Sequence, residues 1–218
     1  MKIAIFTDTF LPQINGVTNT LSKMKEYMDD KEIEYLFFIP GDISENEELK
    51  NIISFQSVKF FLYPECRISF PNYFEVAKQM KEFKLELIHI TTPFSLGMMG
   101  LKYARKNNIT VTASYHTDFP GYLDYYGMPF LKPAARNFLL KFHSYASLNF
   151  APSKHTALEL IQKGMKNVRV WGRGIDTEKY SPVFRCEKFI HHAIFLYSRP
   201  EVKHTVTSFW KQCLHVCL

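Results

Sequence analysis

Short apolar segments alternate with segments of helical periodicity through the first 170 residues of the chain. Several of the apolar segments are rich in β-branched and aromatic residues and end at Pro, Gly or Asp, which is typical of buried strands. They are Lys2–Thr7, Glu32–Pro40, Ile52–Tyr63 (one or two strands), Leu85–Thr91, Ile109–Tyr115, Ser147–Ala151 and Asn167–Val170. Strands that alternate with helices form a mostly parallel sheet covered on both faces. The sequence therefore predicts an α/β fold with a Rossmann-like, three-layer architecture.

Five segments between these strands place apolar residues at the spacing of an amphipathic helix. They are Thr18–Lys31, Tyr73–Phe83, Phe94–Lys106, Leu131–Ser144 and Lys154–Lys163. Ser153 is a suitable N-cap for the last of them, and Gly164 is a suitable stop. Ligands of parallel sheets bind beyond the carboxyl ends of the strands. Chemistry is therefore expected in the loops Asp8–Gly16, Thr91–Ser95, His116–Gly127 and Trp171–Asp176.

The amino-acid composition constrains the size of the core, the charge of the partners and the location of the protein. Hydrophobic residues make up 46% of the 218 residues, which is enough for a sizeable core. The formal net charge of +6 favours anionic partners such as phosphates, nucleic acid or an acidic membrane surface, without choosing among them. The basic residues are spread along the chain, so no nucleic-acid-binding tail is indicated. Because the sequence shows neither a spanning apolar stretch nor a signal peptide, we expect a cytoplasmic protein, with peripheral contact at the inner face of the membrane as a further option.

The sequence lacks the motifs of metal and serine-nucleophile chemistry. Its four cysteines (Cys66, Cys186, Cys213 and Cys217) include no CxxC pair, and neither HExxH nor GxSxG occurs. We therefore expect no metal site, and we interpret the cysteines as unpaired thiols in a reducing compartment.

The loop after the first strand, TDTFLPQINGVT, ends in Asn15–Gly16 directly before a helix. Glycine allows a ligand to approach the backbone closely, and a helix N-terminus offers N–H groups and a positive dipole end to an anion. The loop is not a GxGxxG fingerprint, and it lacks the lysine of a P-loop. Asn-Gly is also a common simple turn, so the residues alone leave both interpretations open.

The segment SYHTDFPGYLDYY places His116 and Asp118 directly after a strand end. Both side chains suit hydrogen bonding to sugar hydroxyls or positioning of a leaving group. The rings of Tyr122, Tyr125 and Tyr126 suit stacking on a sugar or contact with an apolar acceptor. A structural histidine surrounded by packed tyrosines fits these residues equally well.

The segment WGRGID places Arg173 between two glycines after the last strand. Arg173 suits contact with a phosphate, and the glycines suit a hinge to a second domain. The alternative is a surface turn with a solvated arginine. His89 lies inside a strand segment, and we interpret it as structural.

Five motifs occur in order along the chain: KIAIFTDTFLPQINGVTNTL, IHITTPFSLGMMGL, SYHTDFPGYLDYYG, APSKHTALEL and VWGRGIDTEKYSP. Together they resemble the N-terminal domain of family 4 (group 1) glycosyltransferases from Met1 to about Pro182. The branch resembled includes GDP-mannose-dependent α-mannosyltransferases and glycosyl-diacylglycerol synthases. The resemblance implies the GT-B fold, in which an acceptor-binding and a donor-binding Rossmann-like domain face each other across a cleft.

The resemblance also implies an activity and roles for individual residues. The activity is the retaining, metal-independent transfer of a hexose from a nucleotide sugar, such as GDP-mannose or a UDP-sugar, to an acceptor that can be a lipid. His116 is expected to be catalytic, in contact with the donor sugar and the reaction centre. The expected donor-binding residues are Asn15, Gly16, Val17 and Arg173. The expected acceptor-binding residues are Asp118, Tyr122, Tyr125 and Tyr126.

The last part of the sequence departs from the family pattern. We expect residues 1–182 to form the acceptor-side domain and residues 183–218 to form an aberrant or truncated start of the donor-binding domain. The Gly-Arg…Lys loop that holds the diphosphate in the family is not recognisable after Tyr197. A frameshift or premature stop near Tyr197 and an ordinary helix from Val202 to Leu218 both account for this tail. We expect this polypeptide alone to lack significant transferase activity.

Two other classes of function compete with a transferase. A non-catalytic module that binds an acceptor or a membrane surface would keep the same basic and aromatic face. A nicotinamide-dependent oxidoreductase needs GxGxxG after the first strand and an acidic residue at the end of the second. The first loop lacks those glycines and the second strand ends in Pro40–Gly41, so an oxidoreductase is disfavoured.

Overall fold

A computed structural model of the chain describes residues 1–13, 15–41, 51–60, 66–172, 174, 181 and 183. The chain divides into two compact units, Met1–Arg173 and Gly174–Leu218. In the second unit, the amide of Val183 donates to the hydroxyl of Ser181 at 3.3 Å. The expected helix 202–218 and the expected break near Tyr197 lie outside the described residues, as does Arg173, and the domain boundary after Pro182 stays a prediction.

The described part of the first unit consists of short strands and helices in alternation. The strands are β1 (Lys2–Phe6), β2 (Glu34–Pro40), β3 (Ile52–Phe55), β4 (Ser57–Lys59), β5 (Arg67–Ser69), β6 (Leu87–Ile90), β7 (Thr110–Ser114), β8 (Leu148–Ala151) and β9 (Val168–Val170). The helices are α1 (Gly16–Asp30), α2 (Tyr73–Phe83), α3 (Ser95–Asn107), α4 (Phe119–Tyr125), α5 (Lys132–His143) and α6 (Lys154–Gln162). Within the described ranges, no helix is long and apolar enough to cross a membrane.

Seven of the strands form one sheet in the order β3-β2-β1-β6-β7-β8-β9, and all of its neighbouring strands are parallel. The central pair sets Ile3 opposite Leu87 and Phe6 opposite Ile90. The strand order reverses at β1, because the chain first builds outward through β2 and β3 and then returns to pair β6 on the other side. Ligands of open α/β sheets bind at such a switch point, beyond the carboxyl ends of the strands.

Helices cover both faces of this sheet. Successive residues of β1 point to opposite faces, so the strand contributes side chains to the core on each face. Ala4 and Phe6 pack in one core with residues of α2 and α3, whereas Ile5 packs in another core with residues of α1. All three side chains are fully buried. The predicted α/β class and the Rossmann-like, mostly parallel sheet with three layers are therefore confirmed.

Two glycines bring α3 unusually close to the sheet. A Cβ atom at Gly97 would lie 1.8 Å from the carbonyl oxygen of Thr92, and one at Gly100 would lie 2.7 Å from the ring of Phe6. Only hydrogen fits at either position, so the motif FSLGMMG allows the start of α3 to pack directly on β1 and β6.

The segment 116–127, which the sequence analysis treats as a loop, contains the helix α4. Pro120 lies in the first turn of α4, where its missing N–H leaves no hydrogen bond unmade. Gly121 leaves room for the carboxylate of Asp118, since a Cβ there would lie 2.6 Å from Oδ2. The pair Pro120–Gly121 therefore starts a helix here.

The ends of α6 and α1 agree with or extend the boundaries predicted from the sequence. Ser153 caps α6, with its hydroxyl accepting from the amide of Thr156 at 3.1 Å, and Gly164 has a φ of +94° after the helix ends, both as predicted. The helix α1 begins at Gly16, two residues before the predicted start, because Asn15 caps it.

The segment Ile52–Tyr63 contains two strands, β3 and β4, within the predicted one or two. The strand β5 was not predicted, and it pairs with β4 in a separate antiparallel sheet.

Candidate functional site

The N-terminus of α1 is held in place by the side chain of Asn15. Its Oδ1 accepts from the amides of Val17 and Thr18, both at 2.9 Å, and its Nδ2 donates to the hydroxyl of Thr9 at 2.9 Å. Gly16 is exposed, and the first turn of α1 carries no acidic residue. The positive end of this helix is therefore open to an anion through the backbone at Gly16.

The three donor-binding residues expected around this turn have different environments. Asn15 uses its side-chain oxygen to cap the helix, and Gly16 offers exposed backbone. Val17 is 8% exposed and packs in the core on the α1 side of the sheet, so its side chain is structural and only its backbone lies at the turn.

A buried carboxylate occupies the equivalent position at α3. Asp8 follows β1 and accepts from the hydroxyl of Ser95 at 2.6 Å and from the amide of Leu96 at 2.8 Å. The hydroxyl of Thr92 donates to the same carboxylate at 2.7 Å. Burial raises the pKa of Asp8, and these donors act in the opposite direction. Because the chain's own carboxylate fills the N-terminus of α3, α1 is the helix beside the switch point that remains open to a ligand anion.

Sequence reasoning did not single out Asp8. The available signal was an aspartate after a buried strand together with the polar loop Thr91–Ser95, which the fold brings to the neighbouring strand end. Without the pairing of β1 with β6, nothing in the sequence links these two segments.

A polar pocket of about 170 Å³ lies beyond the end of β7. Its lining includes Tyr115, His116, Asp118, Thr156, Glu159 and Lys163. The hydroxyl of Tyr115 donates to Oδ1 of Asp118 at 2.8 Å, which fixes that carboxylate. Burial and the neighbouring Asp118 raise the pKa of Tyr115, so its hydroxyl stays protonated and continues to donate. The pocket offers two carboxylates, an imidazole and an ammonium group to a hydroxylated ligand.

The ring of Trp171 contacts both His116 and two rings in the interior of the sheet. Its centroid lies 6.0 Å from the His116 ring, 6.0 Å from the His89 ring and 5.7 Å from the Phe150 ring. The amide of Trp171 donates to the carbonyl of Ala151 at 2.8 Å, which anchors it beyond β9. The loop after β9 and the loop after β7 are thus in contact through these rings.

His89 belongs to the interior of the sheet. Nδ1 lies 2.9 Å from the Thr112 hydroxyl and Nε2 lies 3.1 Å from the Ser114 hydroxyl. Burial lowers the pKa of His89 to about 4, so the ring is neutral near pH 7. This environment agrees with the structural role expected for His89.

An apolar groove with a volume of about 160 Å³ is lined in part by residues of α4. Its lining includes Phe60, Phe94, Phe119, Tyr122, Tyr126 and Phe138. The rings of Phe94 and Phe119 meet edge to face, with their centroids 4.7 Å apart. The residues expected to bind the acceptor are therefore divided: Asp118 lines the polar pocket, Tyr122 and Tyr126 line the groove, and the side chain of Tyr125 is not among those described.

Among the described residues, no group of three His, Cys, Asp or Glu side chains is arranged to hold a metal ion. The polar groups of the pocket beyond β7 are mixed donors and acceptors. Such a set suits hydrogen bonding to hydroxyl groups.

Comparison with known proteins places these features in a family. The profile of Glycosyltransferase Family 4 matches residues 14–179. A GDP-mannose-dependent alpha-mannosyltransferase from Mycobacterium tuberculosis is 30% identical over 194 residues, which are 86% of this chain and 51% of that protein. An alpha-monoglucosyldiacylglycerol synthase from Streptococcus pneumoniae is 31% identical over 143 residues, which are 65% of this chain and 32% of that protein. The chain thus spans about half the length, or less, of these curated relatives.

Among solved structures, the UDP-GlcNAc 2-epimerase from Methanocaldococcus jannaschii superposes with a TM-score of 0.50 at 16% identity. The superposition covers 79% of this chain and 46% of that one, and at this identity it shows a shared fold alone. The family profile, in contrast, spans most of the chain, from the turn before α1 through His116 and Asp118 to the residues after β9. The chain therefore belongs to glycosyltransferase family 4, as its ordered motifs predicted.

Proposed function

We propose that this chain forms the acceptor side of a site that transfers a hexose from a nucleotide sugar, GDP-mannose or a UDP-sugar, to an acceptor with retention of configuration. The observation that carries the proposal is the arrangement at one edge of the sheet. The open N-terminus of α1 follows β1, and the pocket with His116 and Asp118 follows β7, with only β6 between the two strands. The similarity to a GDP-mannose-dependent alpha-mannosyltransferase supports nucleotide-sugar chemistry.

In the proposed reaction the bond between the anomeric carbon and the diphosphate oxygen breaks, the oxygen of an acceptor hydroxyl bonds to that carbon, and the proton of that hydroxyl passes to the leaving diphosphate. Negative charge grows on the leaving diphosphate, and the exposed backbone at Gly16 and the dipole of α1 stabilise it. The half-buried imidazole of His116, held against Trp171, hydrogen-bonds to the donor sugar at the reaction centre. Asp118, oriented by Tyr115, binds hydroxyl groups of the acceptor.

The fluorescence of Trp171 gives a direct test of donor binding, because its ring contacts His116. The sequence contains Trp171 and Trp210, so the substitution Trp210→Phe leaves Trp171 as the single reporter. Titration of this variant with GDP-mannose and with UDP-glucose should give a saturable change for one of them. No saturable change with any nucleotide sugar would contradict the proposal.

The substitution Asn15→Asp separates the anion site from the stability of the helix. Aspartate caps helices as well as asparagine but places a negative charge at the N-terminus of α1. We expect donor affinity to fall at least tenfold in Asn15→Asp. The matched control Asn137→Asp makes the same change at an exposed position of α5 and should leave affinity unchanged. Equal effects in the two variants would count against a diphosphate at α1.

The role of His116 is tested with a second pair of variants. His116→Ala removes one hydrogen bond to the donor sugar, which corresponds to roughly tenfold weaker binding. His155→Ala is the control, because that side chain is 85% exposed on α6 and lies outside the polar pocket.

Sugar transfer from radiolabelled donor by the unmodified chain would contradict the expectation that these 218 residues are catalytically incomplete.

A second candidate function is a non-catalytic module at a membrane surface. Phe130 is 74% exposed, and it precedes α5, which carries Lys132, Arg136 and Lys141 and no acidic residue. Apolar and basic side chains together favour contact with anionic lipid. Co-sedimentation with phosphatidylglycerol vesicles, compared with phosphatidylcholine vesicles, tests this contact. Lipid binding without any response to nucleotide sugars would favour the module over the transferase.

A further inference from the structure

We propose that Trp171 is a positioning residue for His116 and that His89 is the fixed support of Trp171. The inference rests on the proposed function and deepens it, because it names the groups that orient the imidazole at the reaction centre. Trp171 acts through His116, since it limits the orientations that the imidazole can adopt before a donor binds. Pre-orientation of this kind reduces the entropy that is lost when a ligand binds.

His116 lies in a segment that does not by itself fix the direction of a side chain. The strand β7 ends at Ser114 and the helix α4 begins at Phe119, so His116 lies between regular elements. Several staggered rotamers are therefore open to it unless a neighbouring group selects one. The centroid of the Trp171 ring lies 6.0 Å from that of the imidazole, with the two planes inclined at 57°. Contact between rings at this separation favours one rotamer.

Trp171 can restrain its neighbour because it is itself held at three points. Its amide donates to the carbonyl of Ala151 at 2.8 Å. Its indole ring meets the ring of Phe150 edge to face at a centroid distance of 5.7 Å. It also meets the imidazole of His89 edge to face at 6.0 Å. The backbone contact fixes where the side chain starts, and the two rings, on β8 and β6, restrict the plane of the indole.

His89 is a more rigid support than an apolar side chain would be. Its Nδ1 lies 2.9 Å from the hydroxyl of Thr112 and its Nε2 lies 3.1 Å from the hydroxyl of Ser114, both on β7. The buried ring therefore cannot turn without the loss of a hydrogen bond. Ser114 also precedes His116 by only two residues in the chain. The end of β7 thus carries the imidazole of His116 and, through His89, fixes the support of Trp171.

Ordering of the His116 ring is measured by NMR on the full chain without any donor. Three-bond couplings of labelled histidine report whether χ1 populates one rotamer or an average. We expect one rotamer in the parent and in Trp171→Phe, which keeps a ring at this position, and averaging in Trp171→Leu. The exposed His155 is the internal reference and should be averaged in every variant. A His116 ring that keeps one rotamer in Trp171→Leu would overturn the proposal.

His89→Leu is a second variant, which tests the support and leaves Trp171 unchanged. Leucine fills the space but cannot bond to the hydroxyls of Thr112 and Ser114, so the His116 ring should again lose its single rotamer. An unchanged rotamer of His116 in this variant would overturn the role of His89 as the support.

A double-mutant cycle in donor binding tests whether Trp171 acts through His116. GDP-mannose and UDP-glucose are titrated by calorimetry into the parent, Trp171→Leu, His116→Ala and the double variant. Trp171→Leu should weaken binding about threefold in the parent and leave it unchanged when residue 116 is already alanine, because residues in contact couple in this way. Equal weakening in both backgrounds would overturn the proposal. If the parent binds neither donor, the proposed function fails, while the rotamer of His116 still tests the positioning role.

Discussion

Asp8 and His89 are buried titratable residues whose pKa values move in opposite directions, and in both cases burial disfavours the charged form. Burial raises the pKa of Asp8, so its contribution to stability is fully present at low pH and is lost as the pH rises through its folded pKa. Burial lowers the pKa of His89, so its contribution is fully present above the pKa of the unfolded chain and is lost as the pH falls. The two contributions oppose each other in the acid range, so a variant at each residue is needed to separate them.

The unfolding free energy should decrease between pH 6.5 and pH 4 because the imidazole of His89 binds a proton in the unfolded chain over this range while the buried ring stays neutral in the fold. The difference between a pKa of about 4 in the fold and 6.5 in the unfolded chain corresponds to about 3 kcal/mol. Urea unfolding at several pH values measures this slope. The variant His89→Gln should flatten it, while His155→Gln, at an exposed site, should not. An unchanged slope in His89→Gln would show that another group is responsible.

Removal of the Asp8 carboxylate should destabilise the fold strongly. Asp8→Ala leaves the amide of Leu96 and the hydroxyls of Ser95 and Thr92 without their acceptor, which we expect to cost about 3 kcal/mol. Asp8→Asn keeps one acceptor oxygen and should cost less. The midpoint of urea unfolding measures both, with the exposed Asp30→Ala as a control within about 0.5 kcal/mol of the parent. A stability of Asp8→Ala equal to that of the control would contradict this role.

Single residues in the candidate site were predictable where local chemistry decides their position. Asn15 lies before a helical segment, and His116 follows a strand end, so the sequence located both. Val17 was expected to bind the donor, and its burial in the core beside α1 leaves only its backbone at the turn. The contacts of Asp8 depend on residues more than 80 positions away, which local pattern does not show.

The helix α3 illustrates how one element depends on small residues. Its first turns lie so close to the sheet that Gly97 and Gly100 contact Thr92 and Phe6 directly. The Phe6 ring is itself stacked on Phe38, with centroids 4.4 Å apart, and is fully buried. The position of α3 therefore fixes the loop Thr91–Ser95 at the carboxyl edge of the sheet.

Addition of one methyl group at Gly100 should disturb this packing. The Cβ atom of Gly100→Ala would lie 2.7 Å from the Phe6 ring, and forced repacking of this kind costs about 1–3 kcal/mol. Gly172→Ala is the matched control, since a Cβ there has no atom within 4 Å. Thermal unfolding of the two variants gives the comparison. The prediction is wrong if Gly100→Ala is as stable as Gly172→Ala.

Most helices and strands were predictable as elements, and α4 was not. Alternation of apolar segments with amphipathic ones is a strong local signal, and it located the large sheet's strands and five helices. Pro120 and Gly121 are typical of a turn, but here they lie in the first turn of the helix α4, because the side chain of Asp118 packs against Gly121. That contact is set by Tyr115 and the end of β7, so it follows from tertiary structure.

At the scale of the whole molecule, the strands of the large sheet differ in how well they are protected. The central strands β1 and β6 have neighbours on both sides and helices on both faces, whereas β3 and β9 are the outermost of the described strands. The strand order itself was not predictable from sequence, because parallel strands connected by helices can be placed on either side of β1.

Hydrogen exchange followed by mass spectrometry should resolve this difference. We expect amides of β1, β6 and β7 to exchange only through global unfolding, and amides of β3 and β9 to exchange faster through local opening. Peptides that cover α1 provide an internal reference for the layer on the other face. Equal protection of β9 and β1 would contradict the expected order.

The pairing of β1 with β6 has a consequence for how the chain is made. Hydrogen bonds between these segments join residues 84 positions apart, whereas β2 follows β1 after a single helix. Closure of a loop of that length is slow compared with formation of local contacts. During synthesis from the N-terminus, β1 and β2 can pair early, but one edge of β1 stays without its native partner until Ile90 has left the ribosome. For that interval the nascent chain presents an apolar, unpaired strand edge, which is the kind of surface that chaperones exist to shield.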